Sequence, residues 1–149
     1  MNQTQLILII ILIITLGCND ANDIPIVKDI SFEEIAKSAL YGNGEEGISQ
    51  SNMVIQNEND WKSLMTKMDS YNNATENFNK KNVDFDSYTI IAVFLEIKMY
   101  GHEVGINKVT EKENHLYIST IEKQSMATVI CQPYSIIEIP KTELPIIFE

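Results

Sequence analysis

YTIIAVFLEI, residues 88–97, is the stretch whose reading decides how this chain folds. Until Glu96 it is β-branched, aromatic or otherwise apolar, a composition that fits a pleated surface better than a helix. It also lacks the polar–apolar alternation of a strand with one wet face. The run therefore predicts a central strand covered on both sides, which requires structure packed above and below it.

Reading outward from that strand, the C-terminal side stays β. Val104, Ile106 and Val109 mark the next strand, and LYISTIE (116–122) follows, with Leu116, Ile118 and Thr120 on one face. SMATVICQPYSIIEIPK (125–141) and LPIIFE (144–149) complete the β half. KMYGHE (98–103) and EKENH (111–115) separate these runs at hairpin-like intervals. On the N-terminal side, NENDWKSLMTKM (57–68) is the clearest helix. Asn57 caps it, and Trp61, Leu64, Met65 and Met68 recur at the spacing of one buried stripe. ISQSNMVI (48–55) predicts a strand, GNGEEG (42–47) a turn, and the polar, aperiodic residues 71–82 a loop. Residues 30–40 remain open between helix and strand, because Phe32, Ile35, Ala36 and Leu40 suit either. The expected fold is mainly β with one helix (α+β), an antiparallel sheet or sandwich of six or seven strands in a single domain.

The charge balance narrows the partners. The chain has 149 residues, with 21 acidic against 11 basic side chains and a formal net charge of −10. Such a surface repels phosphate backbones, so nucleic acid is not an expected partner. No charged residue precedes Asp20, so the whole imbalance belongs to the part after the first segment.

That first segment is LILIIILIITL, residues 6–16. As a helix it rises about 16 Å, short of the ~30 Å hydrocarbon core of a bilayer. Its length fits the apolar region of a secretory signal, although MNQTQ supplies no Lys or Arg ahead of it. Thr15, Leu16, Gly17 and Cys18 then resemble the lipobox of bacterial lipoproteins, with Thr15 in place of the commoner Leu. The resemblance implies cleavage between Gly17 and Cys18, a diacylglycerol thioether on Cys18 and acylation of the new amine. Two or more acyl chains, at ~0.8 kcal/mol per buried CH₂, hold a protein firmly on a membrane. Residues 1–17 are thus expected to be a lipoprotein signal peptide, 18–29 an acidic tether and 30–149 the β-rich domain. Asn19, Asp20 and Asp23 resemble the export signals of Bacteroidetes-type surface lipoproteins, and read equally as a solvated tether. The expected location is the cell envelope, at the outer membrane of a Gram-negative bacterium, with exposure at its surface in view.

The rest of the chain carries no motif for catalysis. His102 and His115 fall in predicted turns, and no HxxxH, CxxC or HExxH spacing is present. Cys131 could act as a nucleophile beside one of them, but its apolar setting reads as an inert buried thiol. With Cys18 acylated, Cys131 has no partner for a disulfide. There is no phosphate-binding glycine loop and no GxSxG. No cofactor, metal or enzymatic activity is expected.

VDFDSYTIIAVF, GHEVGINKV, HLYISTIE and QPYSIIEIPK resemble, in that order, the C-terminal domain of the PrcB family. The family is named for a subunit of a spirochaete surface protease complex. Three features carry the likeness, which runs from Val54 to the end of the chain. They are Trp61 in a helix just after Val54 and Ile55, the Asp84-Phe85-Asp86 step into a strand, and Pro133-Tyr134 leading to an Ile-rich strand that closes on Pro140-Lys141. Locally, Asp84 and Asp86 suit a turn fixed by side-chain hydrogen bonds, Pro133 a strand start or edge, and Gly101 a tight turn with positive φ. The chain departs from the family at Tyr100-Gly101-His102-Glu103, where a Gly/Thr/Tyr-rich turn is usual.

The resemblance implies a non-catalytic accessory role in assembly or maturation of a secreted or surface protease. A protease-inhibitor-like module is the alternative, and a small cysteine hydrolase using Cys131 a third. Tyr100 and His102 on one loop, beside Met126 on another, form the expected contact patch, since Tyr and Met favour recognition surfaces.

Overall fold

The computed structural model describes residues 26–149. Gly17 and Cys18, and with them the signal-peptide assignment and all but the last residues of the tether, lie outside the described residues. Among the described residues, eight strands and one α-helix follow in chain order, with a short 3-10 turn at Ala74–Asn77: β1 (Lys28–Asp29), β2 (Glu33–Leu40), β3 (Ser51–Ile55), α1 (Glu58–Met68), β4 (Tyr88–Phe94), β5 (His102–Lys112), β6 (His115–Gln124), β7 (Gln132–Pro140) and β8 (Ile146–Phe148). They form two four-stranded sheets, ordered β2-β7-β4-β3 and β1-β5-β6-β8. The fold is mainly β with one helix, as expected. All pairings are antiparallel except β6 with β8.

The opening run is central, and its two faces feed two different cores. Ile90, Ala92 and Phe94 of β4 join Tyr134 and Ile136 of β7 beneath Trp61, Leu64 and Met68 of α1. Ile91, Val93 and Leu95 join Ile137 and Ile139 against Val104, Ile106, Val109, Leu116 and Ile118 of the second sheet. The layers are therefore helix, sheet, sheet. A middle layer with no wet face is why β4 and β7 do not alternate in polarity. Each fully buried Ile contributes roughly 1.5–3 kcal/mol, so these two strands dominate the hydrophobic stabilisation.

The helix forms as its sequence predicts. Asn57 Oδ1 accepts from the Asp60 amide at 3.0 Å. The Trp61 indole stacks on Phe78 with ring centroids 5.8 Å apart, and its Nε1 donates to Lys81 O at 2.8 Å. Asp84 organises the entry to β4, accepting from the Asp86 amide at 3.0 Å and the Ser87 hydroxyl at 2.7 Å. Lys141 closes the same corner, its Nζ donating to Phe85 O at 2.7 Å and its amide to Ser87 O at 2.8 Å. Two of the motifs behind the family likeness thus touch each other, in a structural corner.

Several expectations are corrected. Residues 33–40 are a strand: pairing with β7 along the sheet edge settles what periodicity left open. Lys28 and Asp29, assigned to the tether, add as β1 to β5. β3 begins at Ser51, and residues 125–131 lie outside the strands although their composition suggested one. His102 and His115 begin strands, where turns were expected. Gly101 does not have a positive φ. Its lack of a side chain matters because a Cβ there would run into Ser125 Oγ and stand 3.2 Å from Ala127 Cβ.

Candidate interaction surface

The strand directions collect three connections at one end of the molecule. Leu40 pairs with Gln132, Phe94 with both Ser51 and Tyr134, and His102 with Gln124. The β2–β3, β4–β5 and β6–β7 connections (residues 41–50, 95–101 and 125–131) therefore lie side by side. The chain enters at the other end, where Lys28 pairs with Glu111. Nine residue-to-residue steps along β5 separate Glu111 from His102, about 30 Å at ~3.3 Å per step.

Backbone and side-chain bonds bind the three connections together. The Gly101 amide donates to Ala127 O at 2.7 Å, and the Ser125 amide donates to Gly101 O at 2.8 Å. Lys98 and Cys131 exchange both backbone bonds, at 2.7 and 3.0 Å. Gln132, buried beneath them, donates through Nε2 to Ile48 O at 2.9 Å and Leu95 O at 3.0 Å. One amide side chain thus ties residues 41–50 to the β4 exit.

These joined segments expose apolar side chains. Ile97, Met99, Tyr100, Met126 and Ile130 are all exposed, Met126 completely. An apolar group of this kind on a surface otherwise dominated by acids is what a protein contact needs. Lys98 sits among them, largely buried, 2.9 Å from Glu96 and 4.0 Å from Glu122. Lys37 of β2 pairs with Glu103 at 3.4 Å.

The structure brings Tyr100, His102 and Met126 to this one end. His102 is half-buried and its Nδ1 lies 3.0 Å from Tyr100 O, so one ring nitrogen serves the chain's own backbone. Cys131 is buried, with Sγ 3.8 Å from the same Tyr100 carbonyl. Thiol and imidazole share an acceptor there, an arrangement that fixes the loop without activating the sulfur. His115 lies at the far end of the β5–β6 hairpin, beside Lys112, with Nδ1 2.8 Å from Glu113 O, so the two histidines do not converge. Among the described residues no three His, Cys, Asp or Glu side chains cluster as metal ligands, and no helix is long and apolar enough to cross a membrane.

Sequence reasoning missed Met99, Ile97, Ile130 and Gln132. Ile97 and Ile130 looked like core because their runs continue into buried strands, and Met99 fell in a stretch read only as a turn. Gln132 sits between a buried Cys and a Pro, and only the junction of three connections shows what its amide does.

No protein-family model matches the chain, no curated protein matches it, and no solved structure matches it. The PrcB likeness rests on the motifs quoted above.

Proposed function

We propose that this chain is a lipid-anchored extracytoplasmic interaction protein without enzymatic activity, one that assists assembly or maturation of a secreted or surface protease. The observation that carries the reading is the exposure of Met99, Tyr100 and Met126 on bonded segments at the end opposite the chain's entry. With acyl chains on Cys18, the tether joins the domain at the end opposite these side chains. From Cys18 to Ile26 the extended chain reaches at most about 28 Å at ~3.5 Å per residue, so the domain stays near the lipid surface. Anchoring near a membrane raises the effective concentration of a partner held on the same surface.

Affinity capture of the full chain from its native membrane tests the surface. A Tyr100→Ala/Met126→Ser variant is expected to lose the partner that wild type recovers, and undiminished recovery removes the surface from the reading. Metabolic palmitate labelling tests the anchor: Cys18→Ala should abolish the label, and equal labelling of both proteins defeats the assignment. Titration against secreted proteases separates the two kinds of partner. Binding without inhibition supports the accessory role, and inhibition favours the inhibitor-like alternative.

A further inference from the structure

Beside the exposed apolar residues lies a cleft of about 180 Å³, lined by Ser38, Tyr41, Asn72, Asn73, Asn77 and Tyr134 with Glu46. Its lining is rich in oxygen: three hydroxyls, three amide carbonyls and one carboxylate. Glu46 is 3 % exposed. Its Oε1 accepts from the Gly42 amide at 2.8 Å, and its Oε2 has no hydrogen-bond partner. Among the described residues Glu46 makes no ion pair. A buried carboxylate with half of its acceptor capacity empty and no counter-charge is costly, and such groups recur where a ligand supplies what is missing.

The local backbone is arranged around that carboxylate. A Cβ on Gly42 would stand 2.6 Å from Oε1 and 2.7 Å from Oε2, so only glycine lets Glu46 fold back there. The same turn reaches the apolar surface, because a Cβ on Gly44 would lie 3.1 Å from Ile97 Cδ1. Residues 42–47 are thus the wall between the cleft and the exposed Ile97.

A single carboxylate with neutral oxygens is a poor match for Ca²⁺, which draws on several carboxylates. It suits an organic cation carrying many N–H donors. A planar guanidinium offers five, enough for one carboxylate and several neutral acceptors at once, and it stacks on aromatic faces such as that of the exposed Tyr41. The chain contains no arginine of its own.

We propose that the Glu46 cleft receives an arginine side chain of the partner protein, whose apolar residues rest on the neighbouring Met99, Tyr100 and Met126. The proposal rests on the interaction-surface reading and specifies the partner: an apolar segment with an arginine beside it.

The test uses the full chain, isotope-labelled, and N-acetyl-arginine amide as the probe, with N-acetyl-lysine amide and N-acetyl-citrulline amide as controls. Shifts of the Gly42 amide and of the Asn72, Asn73 and Asn77 side-chain amides report binding. The arginine probe should shift them, and citrulline, isosteric but neutral, should not. Glu46→Gln keeps an acceptor for Gly42 and should weaken the arginine probe about ten-fold or more, the scale of one charge-assisted hydrogen bond. Asn73→Lys, on the exposed rim, guards against misfolding of the Gln variant. Its tethered cation should compete with the probe and lower its affinity. Equal binding of citrulline, equal binding of the lysine probe, an unchanged affinity in both variants, or no arginine-dependent shift each overturns the proposal. Because the probe needs neither Tyr100 nor Met126, its failure leaves the apolar surface standing, and loss of that surface leaves the cleft result intact.

Discussion

Gly101 and Ala127 are joined by an amide-to-carbonyl bond of 2.7 Å, and the Gly101 carbonyl accepts in turn from Ser125 at 2.8 Å. The β4–β5 and β6–β7 connections therefore behave as one short ladder, and their exposed side chains are held in fixed relation. Replacing Gly101 by Ala puts a methyl against Ser125 Oγ and Ala127 Cβ. Separating the segments to make room should destabilise the fold by about 1–3 kcal/mol, as overpacking does. Urea denaturation measures this, and faster hydrogen exchange at the Ser125 amide would localise it.

Gln132 is the second fastener. Gln132→Met keeps the shape but leaves Ile48 O and Leu95 O without their donor. The expected loss is about 2–4 kcal/mol, from two carbonyls deprived of a buried partner. Gln132→Glu, which cannot donate from its carboxylate, should do no better. Stability equal to wild type in both would show that water replaces the amide.

The Lys80 ammonium lies 2.6 Å from Oε1 of buried Glu138 and 5.0 Å from the centre of the Tyr88 ring. The hydrogen bond to Glu138 holds Lys80 above its ordinary value of 10.5, with burial acting in the opposite direction. A raised folded-state value means that the stabilisation is complete below about pH 10.5 and fades as pH climbs through the folded value. Lys80 is about one-third exposed, so Lys80→Met should cost about 2 kcal/mol, between surface and fully buried pairs. The gap in urea midpoint between wild type and variant should stay constant from neutral pH to about 10 and narrow above it. Adding Glu138→Gln should recover part of the loss.

Cys131 should be silent to alkylation in the native state. In a Cys18→Ala background it is the only thiol, and it is buried behind the Tyr100 carbonyl. Iodoacetamide should label it only after unfolding, with less than about one part in a thousand reacting natively if opening is global. Rapid native labelling would reopen the nucleophile reading.

Asp84 supplies a check on the acid side. The Ser87 hydroxyl and then the Asp86 amide hold its carboxyl below the ordinary 3.8. A lowered folded-state value gives stability above the unfolded value that is lost as pH falls through the folded one. Wild type should therefore lose its advantage over Asp84→Asn below about pH 3.8, which thermal melts across the acid range will show.

Much of the fold was legible because its signals are local. Asn57 with Asp60 and the Trp61 stripe identified the helix, and the unbroken apolar run of β4 announced a middle layer. Residues 30–40 were not legible, since a short stretch of Phe32, Ile35, Ala36 and Leu40 fits both periods, and pairing with β7 is a long-range event. The apolar stretch at residues 125–131 misled for the opposite reason: its side chains look like core, yet it spans the gap between two sheets.

What the sequence determined by itself is the pattern of burial: that the strand within residues 88–97 has two dry faces, where the helix begins, and that the acidic excess lies after residue 19. These follow from hydrophobic periodicity and capping, which act over a few residues. Only the tertiary structure decided that Met99, Gln132 and the Glu46 cleft share one end with the expected pair Tyr100 and Met126. That end is built by connections far apart in the chain, and their meeting depends on sheet order and register. No local pattern encodes it.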